Sequence, residues 1–299
     1  MIDQYTITLF TFVGINILLA LSVGLLNGYV GQISIGHAGF YAVGAYTAAV
    51  LTTKLGFSFW TSLPLCMIVT GIVGAGLGVI SLRLRDDFLA ITTIGFNFIV
   101  VGYFLYSPYF GGALGMGNIP VPGLFGKEMT SIQYFIMTLL FVILVYLFLT
   151  WLTKSWIGLA WFAIRENQDI AAVMGINTTK FKVAGFIIST MIAGLAGCLY
   201  AHFILFITPY DFPFALSASF IAMAALGGLG TLRGPVLGAI IVTVIPEYFR
   251  FIQNYRLLIY GLILIIVLMF EPQGILGNQS LLWKKIKKIN KYEVNNEEC

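Results

Sequence analysis

Charge is what this sequence has least of. Only 9% of its 299 residues are Asp, Glu, Lys or Arg, and 59% are apolar, whereas an ordinary soluble domain is about 25% charged. The charges are also clustered, so residues 5–53, 55–82, 88–126 and 129–153 carry none. Histidine and cysteine are scarce too, with two and three residues. Cys66 and Cys198 fall inside apolar runs and Cys299 is terminal, so neither a disulfide framework nor a metal-ligand pattern can be drawn. No phosphate-binding P-loop occurs, and no nucleophile–base pair suggests enzyme chemistry. The expectation is a chain without a cofactor of its own; any nucleotide-derived energy must come from another chain.

What is present is hydrocarbon. Runs of this length cross a bilayer as helices, since only helices and closed barrels satisfy their backbone groups there, and the runs alternate too little for barrel strands. Nine apolar segments can be drawn, over 5–26, 33–53, 57–80, 89–107, 132–152, 183–208, 217–230, 235–249 and 257–271. The fold class expected is an all-α polytopic transmembrane helix bundle of about 8–10 spans, with glycine-broken segments. The first run follows Asp3 rather than a basic segment and exceeds a signal-peptide core, so it reads as a retained span. The seventh and eighth segments read either as two crossings or as a re-entrant hairpin. The transmembrane region covers 1–282, with its longest polar loop at 153–182 too short to bury a core. Residues 283–299 form a basic tail with Lys284, Lys285, Lys287, Lys288 and Lys291. Because it follows a span, it reads as a topology signal or lipid-head contact rather than a nucleic-acid site.

Positive charge gathers at Arg83 and Arg85, at Lys154, Arg165, Lys180 and Lys182, and in the tail. With those places cytoplasmic, the N-terminus lies outside, the C-terminus inside, and 108–131 faces outward; Arg250 and Arg256 then fall outside, against the bias. Few ionisable groups are left within the spans. Glu247 is near a span end, Arg233 is in a break, and only His37 and His202 are deep. Proton-coupled carriers rely on intramembrane acids or His, so the pattern favours a pore opened by power from outside the membrane over a self-sufficient secondary carrier.

Glycine, with 33 residues, is the other signal. Two stretches are broken by it: 27–45, NGYVGQISIGHAGFYAVGA, and 225–239, ALGGLGTLRGPVLGA. Interrupted helices in separate halves point to a substrate path, here with Gln32, Ser34, Gly36, His37 and Gly39 in the first stretch and Gly227, Gly228 and Gly230 in the second. His37 has two readings, a packing residue hydrogen-bonded to a neighbouring helix or a lining residue of the path. In the loop, Leu159, Phe162, Ile170 and Val173 share the apolar side of one short helix, Arg165, Glu166, Asn167 and Asp169 supply polar groups, and Gly175 ends it. That helix either lies on the lipid surface or docks a cytoplasmic partner.

Five ordered blocks then carry a resemblance. GYVGQISIGHAGFYAVGAYTAA (28–49), LRLRDDFLAITTIGF (82–96), GLAWFAIRENQDIAAVMGINTTKFK (158–182), GGLGTLRGPVLGA (227–239) and FEPQGILG (270–277) resemble the LivM-type permease subunits of branched-chain amino acid importers driven by ATP-binding cassettes. Asp86 and Asp87 stand where relatives often have a glycine and a variable residue. The resemblance implies a multi-pass protein of a bacterial or archaeal cytoplasmic membrane. Its implied partners are a LivH-type second permease, two cytoplasmic ATPase subunits and an extracytoplasmic substrate-binding protein. It also implies that 153–182 is the coupling loop and that it carries 165–177 onto the ATPases through Arg165, Glu166, Asn167, Asp169, Ala171, Ala172, Gly175 and Ile176. The cargo implied is a branched-chain or other hydrophobic amino acid, with urea or short amides as the alternative.

Overall fold

The computed structural model describes residues 4–81, 86–124 and 127–248, together with 261, 269 and 274–277. Arg83, Arg85, Arg250, Arg256, most of the ninth apolar segment and the basic tail lie outside the described residues. The rest is a helix bundle. Helix α1 (Gln4–Val23) continues through a π-helical turn (Gly24–Val30). After it come α2 (His37–Thr53), α3 (Phe59–Ser81), α4 (Asp86–Tyr106) and α5 (Ser131–Lys154). Two short helices, α6 (Trp156–Glu166) and α7 (Gln168–Val173), lead into α8 (Thr178–Ile204). The chain then forms α9 (Phe214–Gly227) and α10 (Arg233–Tyr248). A two-stranded ribbon, β1 (Gly123–Leu124) with β2 (Lys127–Glu128), decorates the loop before α5.

Among the described residues, six helical stretches are long and apolar enough to cross a membrane: Gln4–Val30, Phe59–Ile80, Phe88–Tyr106, Ser131–Lys154, Thr178–Ile204 and Pro209–Gly227. They correspond to six of the nine segments read from the sequence. The second and eighth form the shorter helices α2 and α10, of 17 and 16 residues, each only about 25 Å long against a hydrocarbon core of about 30 Å.

Polar residues at the helix starts explain several boundaries. Thr130 and Gln133 form a reciprocal capping box on α5, Asn167 caps α7 through Asp169 and Ile170, and Asn177 caps α8 through Lys180. Side chains at these positions replace the partners that the first N–H groups of a helix lack.

Helices α1 and α8 are central. Leu18, Leu19, Ala20 and Leu21 are consecutive and all fully buried, so the second half of α1 is covered on every side. Helix α3 lies antiparallel on α8 with its glycines at the contact: a Cβ on Gly71 would meet Met191, one on Gly74 would meet Thr190, and one on Gly78 would meet Phe186. Such close approach drives helix association in lipid, where hydrophobicity gives no preference between partners. The outer faces of α3, α4 and α5 instead present bare hydrocarbon, including Ile72, Ile99 and Leu147.

The bundle has two ends. One, the loop end, carries α6, α7 and the turn between α9 and α10. The other, the far end, carries residues 54–58, 107–124, 127–130 and 205–213. Helix α1 starts at the far end, where the Tyr5 hydroxyl donates to Glu247 of α10, and finishes at the loop end, where Gly24 packs on Pro235 and Gly28 on Gly230.

Candidate functional site

The first glycine-broken stretch ends one helix and begins another inside the bundle. The π-turn closes with Gly31 in the left-handed region at φ 78°, and the Gly31 and Gln32 N–H groups both return to the Leu26 carbonyl. Residues 31–36 then leave helical geometry, and their backbone groups find side chains. Ser34 N–H donates to Asn27 Oδ1 (3.0 Å) and Ile35 N–H to Thr93 Oγ1 (3.0 Å). At the start of α2, Ala38 N–H donates to Ser217 Oγ of α9 (2.8 Å). Irregular backbone survives at membrane depth only when buried protein groups satisfy it, and here α4 and α9 supply them. Gly36 passes so close to α4 that a Cβ there would sit 1.8 Å from the Thr93 carbonyl oxygen.

His37 opens α2 and is buried. Both ring nitrogens are engaged, Nδ1 with Ser34 Oγ and Nε2 with Ser189 Oγ, each at 3.0 Å. Ser189 donates to the Ser22 carbonyl (2.9 Å), and Ser22 Oγ donates to the Ser189 carbonyl (2.7 Å). The result is a buried chain of polar groups that joins α1, α2 and α8. Since Ser189 lies roughly three turns into α8, α2 begins within the bundle and not at its face.

The second stretch is a tight helical hairpin. Helices α9 and α10 pack antiparallel through glycine: a Cβ on Gly227 would fall 1.7 Å from the Gly234 carbonyl oxygen, and one on Gly238 would fall 1.8 Å from the Met223 carbonyl oxygen. The turn uses Gly228 at φ 123° and Gly230 at φ 90°, values that only glycine adopts freely. Two carbonyls at the end of α9, Leu226 and Gly227, accept from Ile275 N–H (2.9 Å) and Leu276 N–H (2.8 Å). Residues 274–277 thus finish α9, and Gly274 sits against Gly228.

The two stretches meet. A Cβ on Gly28 would lie 2.6 Å from the Gly230 nitrogen, and Arg165, in the last turn of α6, is wedged beside them. Its guanidinium donates to the Gly28 carbonyl. Its stem lies against Gly31, where a Cβ would be 3.0 Å from Arg165 Cγ, and Nη1 lies 2.9 Å from the Cβ position of Gly230.

The loop is built as two helices, not one. Asn167 breaks it, because its backbone is extended and its side chain starts α7 afresh. Gly175 follows the end of α7 at φ 87°, the helix stop that was expected. The loop is fastened to the bundle by Trp161, fully buried, whose Nε1–H donates to the Phe181 carbonyl (2.8 Å), and by Lys182, which donates to Gln168 Oε1. Its outer side is apolar and uncovered: Trp156, Leu159, Phe162, Ile170, Val173 and Met174 are all exposed, Val173 by 88%. Of the eight residues read as the coupling loop, Arg165, Glu166, Asn167, Asp169, Ala172 and Gly175 are exposed, Ile176 is half-buried and Ala171 is buried. Arg165, though exposed, also reaches the Gly28 carbonyl through its guanidinium.

At the far end a cleft of about 520 Å³ opens over the C-terminus of α2. It is walled by Thr52, Thr53, Lys54, Tyr109 and the loop through Asn118. The Lys54 ammonium donates to the Tyr109 carbonyl and sits 3.7 Å above that ring.

The sequence points to the residues of the two breaks but not to their partners. Ser22, Thr93, Ser189 and Ser217 hold the first break together, yet each is a single hydroxyl in an apolar run, and such residues often only hydrogen-bond their own helix.

A family described as "Branched-chain amino acid transport system / permease component" matches residues 5–268. The high-affinity branched-chain amino acid transport system permease proteins LivM of Salmonella typhimurium and Escherichia coli are each 34% identical, over 92% of this chain and 71% of theirs. A probable branched-chain amino acid transport permease protein, LivH of Methanocaldococcus jannaschii, is 30% identical over 92% of both chains. No solved structure matches.

Proposed function

The chain belongs to the branched-chain amino acid transport permease family, and from that premise we propose that it is the LivM-type membrane-spanning subunit of an ATP-driven importer for branched-chain or other hydrophobic amino acids. It works beside a LivH-type second permease, two cytoplasmic ATPases and an external binding protein that delivers the cargo. Residues 1–282 are the permease domain, 153–182 its coupling loop, and 283–299 a basic cytoplasmic tail.

The observation that carries this reading is the junction of the two glycine-broken stretches directly beneath an uncovered apolar loop. A path of broken helices supplies backbone groups for a zwitterion, and an apolar patch on a fastened loop suits a protein partner. The path follows the breaks, with Gln32, Ser34, Gly36, Gly39, Gly227, Gly228 and Gly230 along it. His37, held by two serines, shapes the path from behind. The loop end faces the cytoplasm and the cleft by Lys54 faces outward. The N-terminus is then external. Glu247 at the far end and Gly274 at the loop end support a C-terminus on the cytoplasmic side.

The test is reconstitution. With the second permease, the ATPases and the binding protein in liposomes, labelled leucine enters only when ATP is supplied. The chain alone gives no leucine flux under a proton gradient; flux there without ATP contradicts the reading.

A further inference from the structure

The C-terminal end of a helix carries partial negative charge. At the loop end, three such ends converge. The π-turn of α1 finishes at Val30, α6 finishes at Glu166, and α9 finishes at Gly227 just before the turn that contains Gly230. Among the described residues at this convergence, Arg165 is the cation whose guanidinium reaches the Gly28 carbonyl, while Nη1 lies beside Gly230. Glycines at 28, 31 and 230 make the notch that admits it: a Cβ at Gly31 would press on the arginine stem, one at Gly230 on its nitrogen, and one at Gly28 on the Gly230 backbone. The same helix is locked to the bundle on its inner side through Trp161 and Ile164, both buried, and presents Leu159 and Phe162 outward.

We infer that Arg165 is a positioning residue whose guanidinium passes movement of α6 to both glycine-broken stretches at once, rather than a residue that docks the ATPase. The inference rests on the importer reading. A push on the outer face of α6 shifts the guanidinium, and the bond to Gly28 persists only if the π-turn and the α9–α10 turn follow. If they do not follow, a buried carbonyl is stranded, so the two arrangements differ in energy through this one contact. Because Arg165 touches residues from both ends of the chain, the two halves of the path move together.

The experiment uses the full complex in liposomes, with ATP hydrolysis, leucine uptake and co-purification of the ATPases read in parallel for Arg165→Gln, Arg165→Lys and Gly31→Asn. For Arg165→Gln the ATPases co-purify as in wild type and hydrolysis continues, but leucine carried per ATP falls about tenfold, the scale of one charge-assisted hydrogen bond. Arg165→Lys, which keeps the charge but loses the fork, falls less. Gly31→Asn, which tolerates the left-handed backbone but crowds the arginine stem, uncouples with the charge intact. An unchanged ratio in Arg165→Gln overturns the inference, as does loss of the ATPases from that complex, which would make Arg165 a docking residue. If Arg165→Gln does not accumulate in the membrane, the other two variants decide, and an unchanged ratio in both overturns it. A wild-type complex without ATP-driven uptake overturns the importer reading and this inference together.

Discussion

Gly28 and Gly230 touch backbone to backbone: a methyl group on Gly28 would lie 2.6 Å from the Gly230 nitrogen. One residue closes the first helix, and the other turns the chain between α9 and α10. The contact joins the two interrupted segments into one structure under the loop, and neither segment can carry a side chain where they meet.

Gly28→Ala and Gly36→Ala therefore destabilise the purified chain, each by about 1–3 kcal/mol as overpacking against rigid backbone. Gly102→Ala is the control, since nothing lies within 4 Å of its Cβ position. Thermal melts in detergent read the difference, with clear downward shifts for the first two and none for the third. Equal melts for all three would contradict the close approach.

The His37–Ser189 pair is expected to be energetically coupled. His37→Leu leaves the Ser189 hydroxyl without one of its partners in a buried site and costs about 1–3 kcal/mol. In a double-mutant cycle with Ser189→Ala, the combined loss is smaller than the sum by about 1 kcal/mol. Strict additivity in melts of the four proteins would show that the two side chains do not meet.

The uncovered loop surface predicts a binding defect without a folding defect. Val173→Asp and Phe162→Asp place charge on an apolar face that is exposed in the isolated chain. Membrane insertion and melting temperature stay as in wild type, while recovery of the ATPase subunits with the permease drops at least several-fold, about 1–2 kcal/mol of lost apolar contact. Undiminished recovery in both variants would remove this surface from the docking site.

How much of this was legible in the sequence depends on how local the signal was. The helical bundle followed from charge-free runs, and Gly175 marked a helix end because a left-handed residue leaves a local trace. The two broken stretches were visible as glycine, but their meeting was not: nothing at Gly28 announces Gly230, because the contact is made by backbones that lie far apart in the chain. Arg165 read as one polar group among four on a docking helix. Its inward course depends on where α6 sits against α1, which is a tertiary fact. The loop read as one helix because Leu159, Phe162, Ile170 and Val173 fit a single apolar side; Asn167 divides it by capping, a local competition that outweighs periodicity. The block FEPQGILG carries no side-chain signature of what residues 275 and 276 do, which is to give two backbone donors to the end of α9.

The claim on which everything rests is that the loop through α6 and α7 lies on the cytoplasmic side of the membrane. In a Cys299→Ser background, with Cys66 and Cys198 buried, Val173→Cys and Leu114→Cys supply one exposed thiol at each end of the bundle. A membrane-impermeant maleimide applied to intact cells should label the variant at 114 and leave the variant at 173 untouched until the membrane is permeabilised. Labelling of position 173 in intact cells would contradict the account.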